Sequence, residues 1–459
     1  MRLVSGLLSC VFSLLVSCST SPPPPEAFKY AGKSSISQAQ PGSLLEAVPL
    51  PIVLSRDDWF VLTATAPWLI GTQIKMDLLL DEGYPAWRAS RLRTLSDVRP
   101  VKIQFIARLP EGGSELQSGT VFVPIPRLGQ KQTLTWVIFE KGTELRKEFT
   151  PSRGKGSELP IITVLSALGY AVWVPDYTGM GDARGMHEYC VPESLADSSL
   201  DGLAAARQWL AGSAAGSGSE YAESGRLAIL GYSEGGLAAM GTLKAIVEHR
   251  IETTGLSLEA AYVMGAPLNL TIDEPLLGDE PFVISHPEYQ VFLALGWNRI
   301  YLEAAKLGDI LSPRTIGSIV PLYDGTNRAE DITRTISLIS GKKTGMVADV
   351  DIFSLKYCSL LRQNPTESAY YRAQFAARLD SWTPPAGIPI ILAATPKDEI
   401  VPFANSQNEY DWAKEHAPLA DVCLVHLASE NHIAAGIEAF LYAIANFDRR
   451  ETALGGTPR

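Results

Sequence analysis

From about residue 100 onward, short apolar and β-branched runs alternate with stretches of helical periodicity, the order expected for a largely parallel sheet covered by helices. Eight strands are predicted, at Val101–Leu109, Gly119–Pro126, Thr133–Glu140, Tyr170–Asp176, Arg226–Ser233, Ala260–Pro267, Ile388–Thr395 and Asp421–Ala428. The first three follow one another closely, with turn signals such as Glu111-Gly112-Gly113, and are expected to run antiparallel. The others are separated by helix-length segments that permit right-handed crossovers. Helices are predicted at Leu159–Leu168, Ser198–Ala211, Glu234–His249, Asn405–His416 and Ile433–Phe447, and the Gly/Ser/Ala-rich stretch Ala211–Ser219 reads as a loop.

Two segments do not fit the alternation. Residues 268–387, between the sixth and seventh strands, are too many for a loop and contain helix-like pieces at Tyr289–Leu307 and Glu367–Leu379, so they are expected to form an inserted cap. Residues 43–100 carry apolar patches and tryptophans, Trp59 and Trp68 among them, but no pattern from which a fold follows. The expected architecture is an α/β core over 101–267 and 388–450, a mostly parallel eight-stranded sheet, with a helical cap after the sixth strand.

The amino terminus reads as an address. Met1 and Arg2 precede an apolar run from Leu3 to Val16, long enough for a signal-peptide core and short for a membrane span. Its end, Leu15-Val16-Ser17-Cys18, resembles the bacterial lipobox, which implies removal of residues 1–17 and lipidation of Cys18; Ser19 resembles an outer-membrane sorting residue. Residues 18–42, with Pro22 to Pro25, are expected to be an extended tether between that anchor and the body. An exported, lipid-anchored envelope protein is therefore expected.

Composition narrows the function classes. With 39 Lys+Arg against 50 Asp+Glu and a formal charge of -11, the chain is a poor partner for a nucleic-acid backbone. At 46% hydrophobic and 19% charged it has the composition of a globular protein with an ample core. The cysteines have no paired CxxC spacing, so neither a zinc framework nor a redox dithiol is indicated, and nothing in the sequence asks for a metal or organic cofactor. Cys190, Cys358 and Cys423 lie in the body, an odd number that leaves at least one unpaired within the monomer.

The candidate chemistry centres on Gly231-Tyr232-Ser233-Glu234-Gly235, which joins a buried-strand pattern directly to a small-residue helix. A serine at the apex of such a strained turn needs glycines two positions to either side, because side chains there would clash, and it is left open to attack. A serine hydroxyl needs a base to take its proton and an acid to orient that base. Asp398 lies where the seventh strand ends and is the candidate acid, with Glu399 the neighbour to set aside. Three histidines follow it: His416 ends a helix, His426 lies inside the last strand, and His432 sits in the loop after that strand, from which an imidazole can reach Ser233. Oxyanion donors are expected from the N–H of Glu234 and from the loop Phe139-Glu140-Lys141-Gly142-Thr143, where Thr143 is the candidate.

The chain order Ser233, Asp398, His432 resembles the serine-dependent α/β-hydrolase superfamily. More narrowly, Pro175-Asp176-Tyr177-Thr178-Gly179-Met180-Gly181, followed by His187 and Tyr189, and Ser118-Gly119 with Val121 to Pro124, resemble segments of secretory lipases and related bacterial lipases and esterases. The resemblance spans roughly residues 100 to 450. Those relatives usually have His-Gly-Thr where this chain has Lys141-Gly142-Thr143, a departure that bears on how the oxyanion loop is held. Asp176 is expected either to pin that region or to cap the following turn, and His187 is read as structural. The resemblance implies hydrolysis of small-molecule or lipid carboxylic esters through an acyl-enzyme, with the cap selecting the acyl chain. A serine peptidase of the same fold, or a binding lipoprotein without chemistry, remain the alternatives at this stage.

Overall fold

The computed structural model describes residues 28–29, 39–50, 90–91, 95–127, 130–214, 220–249, 255–271, 281–300, 306–344 and 346–453. The signal segment, Cys18, Trp59 and Trp68 lie outside the described residues. The strands are β1 (Phe28–Lys29), β2 (Leu44–Pro49), β3 (Val98–Arg108), β4 (Ser114–Pro124), β5 (Gln132–Glu140), β6 (Ala171–Pro175), β7 (Tyr221–Tyr232), β8 (Ser257–Met264), β9 (Val283–Ile284), β10 (Val347–Ala348), β11 (Ile390–Ala394) and β12 (Val422–His426). The helices of at least eight residues are α1 (Leu159–Ala167), α2 (Pro192–Ala214), α3 (Glu234–Val247), α4 (Pro287–Ile300), α5 (Ala329–Ser340), α6 (Leu355–Gln363), α7 (Ala369–Ala376), α8 (Ala404–His416) and α9 (His432–Ala453).

All eight predicted strands are present, in a ten-stranded sheet of order β1-β2-β3-β4-β6-β5-β7-β8-β11-β12. From β6 through β12 neighbours run parallel, whereas β2, β3, β4 and β6 pair antiparallel. The third predicted strand is a correction: β5 does not extend the hairpin but inserts between β6 and β7, parallel to both. Its run Leu134–Phe139 is buried on both faces, which a central strand clad by helices satisfies and a hairpin edge does not. Two strands of this sheet were absent from the sequence reading, as was the separate short pair β9 and β10 in the insertion. β2, in the segment whose fold the pattern did not reveal, adds to β3, and β1, inside the expected tether, adds to β2.

The strand period sorts side chains between two apolar layers. Along β5, Trp136 and Ile138 join Phe105, Trp173, Ile229 and Leu237 on the face covered by α2, α3 and the insertion. Val137 and Phe139 join Phe122, Val174, Tyr262 and Phe440 on the face covered by α1 and α9. Cys190 and Cys358 are buried, Cys423 is exposed, and all three are free thiols.

The insertion between β8 and β11 is helical, holding α4 to α7, and its described stems are tied together at the core. Leu379 N–H donates to the Leu268 carbonyl at 2.7 Å. Asn269 N–H donates to Asn405 Oδ1 of α8 at 2.7 Å, and Asn269 Nδ2 to Asp380 Oδ2 at 3.0 Å. Beside this junction Glu409 of α8 is 1% exposed. Burial, with the nearby Asp380 carboxylate, pushes its carboxyl from 4.5 up to about 9, against a hydrogen bond from the Trp382 backbone.

The folded Glu409 thus keeps its proton to about pH 9 while the unfolded one releases it near 4.5, so folding takes up a proton between these values. Its contribution to stability, full below about pH 4.5, is lost as the pH rises toward 9. Thermal melts at pH 6 and pH 9 are expected to show a smaller alkaline loss of Tm in Glu409→Gln than in the wild type; equal losses would show that Glu409 ionises freely in the folded protein.

Candidate active site

Ser233 occupies the single residue between β7 and α3, at φ 61 and ψ -126. A positive φ is uncommon for a residue with a Cβ, and the surroundings must hold it there. Its N–H donates to the Met264 carbonyl of β8 at 2.9 Å, and its own carbonyl accepts from the N–H groups of Gly236 and Leu237. The flanking glycines are explained by close backbone approach: a Cβ on Gly235 would lie 2.1 Å from the Glu140 carbonyl oxygen, and one on Gly231 would lie 1.9 Å from the Gly235 carbonyl oxygen. The turn can form only where three backbone segments come this close, and it leaves Ser233 part-exposed.

The predicted acid and base meet it there. His432 Nε2 lies 2.9 Å from Ser233 Oγ, and His432 Nδ1 lies 2.6 Å from Asp398 Oδ2. A carboxylate only accepts, so the Nδ1 proton faces Asp398 and a bare Nε2 is left for the serine hydroxyl. Asp398 is held in turn: its Oδ1 accepts from the N–H groups of Ile400 at 2.9 Å and Val401 at 2.8 Å. The side chains of His432 and Asp398 are 4% and 1% exposed, so water competes little for their hydrogen bond.

Two positioning contacts were not anticipated. Glu399 Oε2 accepts from the His432 N–H at 2.9 Å, so the carboxylate set aside as an acid holds the backbone of His432 instead. The Tyr232 hydroxyl donates to the His432 carbonyl at 2.7 Å, and its ring lies 4.9 Å from the imidazole. The only sequence signal for Tyr232 was its place beside the serine. Of the other two candidate histidines, His416 stacks on Trp412 at 3.8 Å and His426 lies against Phe403.

The loop after β5 approaches the serine from the other side. The Gly142 N–H is taken by Glu158 Oε1 at 3.0 Å, and a Cβ on Gly142 would lie 3.7 Å from the Tyr232 carbonyl oxygen. Neither the Thr143 N–H nor the Glu234 N–H has an acceptor among the described residues, the latter because it opens α3. The Thr143 hydroxyl is 3.2 Å from the Tyr189 hydroxyl.

Lys141 points inward. Its residue is 3% exposed, and its ammonium sits 4.4 Å over the Tyr177 ring with no hydrogen-bond partner among the described residues. Its charge is met by carboxylates: burial pushes Glu140 up to about 7 although Ser199, Thr242, Tyr177 and Lys141 all favour its ionised form. Burial would raise Glu234 as well, but His187 and Lys141 outweigh it and hold that carboxyl below its ordinary value. The lysine is therefore part of a buried charge cluster at the start of the loop that carries Thr143. Asp176 accepts from Ser118 Oγ at 2.6 Å and from the Ser152 N–H at 3.3 Å, which links β4 to the stretch after the oxyanion loop.

The secretory lipase family profile matches residues 152–272. That stretch holds Ser233 and Glu234 and ends before Asp398 and His432. No curated protein matches the chain. Among solved structures, the chain is similar to the rice cell wall degrading esterase LipA from Xanthomonas oryzae, at 19% identity and TM-score 0.67, covering 90% of this chain and 97% of that one. It is also similar to Candida antarctica lipase A in its closed state, at 14% identity and TM-score 0.56, covering 93% of this chain and 85% of that one. The fold is that of the α/β-hydrolase superfamily.

Because the 2.1 Å approach at Gly235 is to backbone that cannot swing aside, Gly235→Ala is expected to destabilise the protein by about 1–3 kcal/mol, read from the urea midpoint. An unchanged midpoint would mean that the elbow yields without cost.

Proposed function

We propose that this chain, an α/β-hydrolase by fold, hydrolyses carboxylic esters by a Ser233–His432–Asp398 triad. The observation that carries the reading is the unbroken hydrogen-bonded series Asp398 Oδ2, His432 Nδ1, His432 Nε2, Ser233 Oγ, with links of 2.6 and 2.9 Å at a strained strand-to-helix turn. In this reading Ser233 Oγ attacks the acyl carbon as its proton passes to His432 Nε2, and Asp398 stabilises the imidazolium through Nδ1. The oxyanion is met by the N–H groups of Glu234 and Thr143, which have no other acceptor among the described residues. The ester C–O bond then breaks, the leaving alkoxide takes the proton from His432, and an acyl-Ser233 remains. Water, deprotonated by the same imidazole, releases the acid and restores the serine.

The helical insertion acts as a cap that sets the acyl pocket, which the packing of α4 on the core supports. Export suits the match to a secretory family. The sequence Leu15-Val16-Ser17-Cys18 supports lipidation at Cys18 and attachment to the bacterial outer membrane. No helix among the described residues is long and apolar enough to cross a membrane.

Nitrophenyl esters of increasing acyl length test the reaction. Ser233→Ala is expected to lower kcat by roughly 10⁴-fold or more, and Asp398→Asn by roughly 10⁴-fold with little change in KM. Retention of most of the activity in Ser233→Ala would overturn the mechanism, and turnover of peptides with none of esters would move the activity to amide hydrolysis. Full-length protein made in a bacterial host is expected to incorporate an alkyne-tagged fatty acid that Cys18→Ala loses; labelling that survives the substitution would remove the anchor from Cys18.

A further inference from the structure

Four consecutive buried residues, His187, Glu188, Tyr189 and Cys190, touch both proposed oxyanion donors on one side and the insertion on the other. Toward the site, His187 Nε2 lies 2.7 Å from Glu234 Oε1, with Nδ1 2.9 Å from the Thr178 carbonyl. The Cys190 N–H donates to the same Glu234 oxygen at 3.3 Å. The Thr143 hydroxyl donates to that of Tyr189 at 3.2 Å. Thus the side chain of one donor residue and the hydroxyl of the other are both held by this short segment.

Toward the insertion, the segment meets α4. Arg299 Nε pairs with Glu188 at 3.2 Å, and Trp297 Nε1 donates to the Cys190 carbonyl at 3.2 Å. The Tyr189 ring stacks on Phe292 at 4.6 Å between centroids, and Phe292 stacks on Tyr323 deeper in the insertion at 5.7 Å. Gly296 lets the helix lie directly on the segment: a Cβ there would be 2.6 Å from the Tyr189 backbone nitrogen. Cys190 is held at φ 54, a left-handed conformation that a residue with a Cβ keeps only where its surroundings impose it.

We infer that residues 187–190 are a strap through which α4 sets the oxyanion hole, with Tyr189 as the positioning residue that carries the docking of the insertion to Thr143. The inference rests on the reading of Ser233, Glu234 and Thr143 given above. Tyr189 divides the task between its two ends, the ring belonging to the apolar contact with α4 and the hydroxyl to Thr143. His187 and the Cys190 amide hold Glu234 in the same way, by its carboxylate. Removal of the Tyr189 hydroxyl leaves the triad and the ring stack untouched and frees one oxyanion donor to drift, which weakens transition-state binding more than ground-state binding.

The test compares Tyr189→Phe, Thr143→Val and their double variant with the wild type on one nitrophenyl ester, alongside the rate at which a fluorophosphonate labels Ser233. Tyr189→Phe is expected to lower kcat by roughly three- to tenfold with KM within about twofold, and to slow labelling in proportion. Thr143→Val removes the other end of the same hydrogen bond, so the double variant is expected to lose no more than either single one. Gly296→Ala, remote from the site, is expected to reproduce the kcat loss by displacing the Tyr189 backbone, thermal melts confirming that it folds. Wild-type kcat in a folded Tyr189→Phe, or losses that multiply in the double variant, would overturn the strap while leaving the triad standing. If Gly296→Ala does not fold, the Tyr189 and Thr143 cycle decides alone. A wild-type protein without Ser233-dependent hydrolysis would overturn the catalytic reading, and the strap with it.

Discussion

The close approach of the β5 terminus to the turn at Ser233 is the constraint on which the site depends. Gly235 packs on the Glu140 carbonyl, Gly231 on Gly235, and the Ser233 N–H on the Met264 carbonyl, so three adjacent strand ends converge on one residue. That convergence holds the serine at a positive φ and turns its hydroxyl away from the sheet. It also brings the chain after Glu140 alongside the turn at Ser233. The placement of β5 between β6 and β7 is therefore what allows a single turn to serve both the serine and the loop that carries Thr143.

Beneath that turn the protein buries charge. Glu140 accepts from Tyr177, Ser199 and Thr242, Glu234 is paired with His187, and the Lys141 ammonium lies over the Tyr177 ring and favours the ionised form of both carboxyls. An unpaired charge at this depth would cost several kcal/mol, so each group depends on the others, and removal of one leaves its partners uncompensated. The cluster ties the end of β5, the start of α3 and the loop at His187 into one unit. Apolar residues of similar volume would fill the space as well, but they would not orient the peptide groups that neighbour the serine.

His432, the candidate base, is secured by a separate set of contacts. His432 is bonded at Nδ1 by Asp398, at its N–H by Glu399 and at its carbonyl by Tyr232, so both ring and backbone are fixed. Tyr232 precedes Ser233 and bonds His432, while Asp398 and Glu399 share one loop after β11. The candidate triad is thus held as a unit by residues adjacent in sequence to its own members, whereas Glu234 and Thr143 are held by hydrogen bonds from or to the loop at residues 187–190, which packs on α4. The site has two supports, one from the core sheet and one from the insertion.

Much of this was legible along the chain, because local rules govern it. Alternating apolar runs marked the eight strands, the glycine spacing marked the strained turn at Ser233, and position after a strand end singled out Asp398 and His432, since side chains at the carboxyl ends of parallel strands share one edge of a sheet. Other features depend on contacts between residues far apart in sequence, which no local pattern records. The lateral place of β5, the strand at Leu44–Pro49 and the inward turn of Lys141 each follow from which surfaces were left to bury. Glu399 and Tyr232 look like an ordinary loop carboxylate and strand aromatic until the fold brings His432 to them. The sequence by itself determined the fold class and the three residues of the candidate triad. Only the tertiary structure decided how those residues are held, because a hydrogen bond such as His432 to Ser233 exists only once the loops of separate strands are brought to the same edge of the sheet.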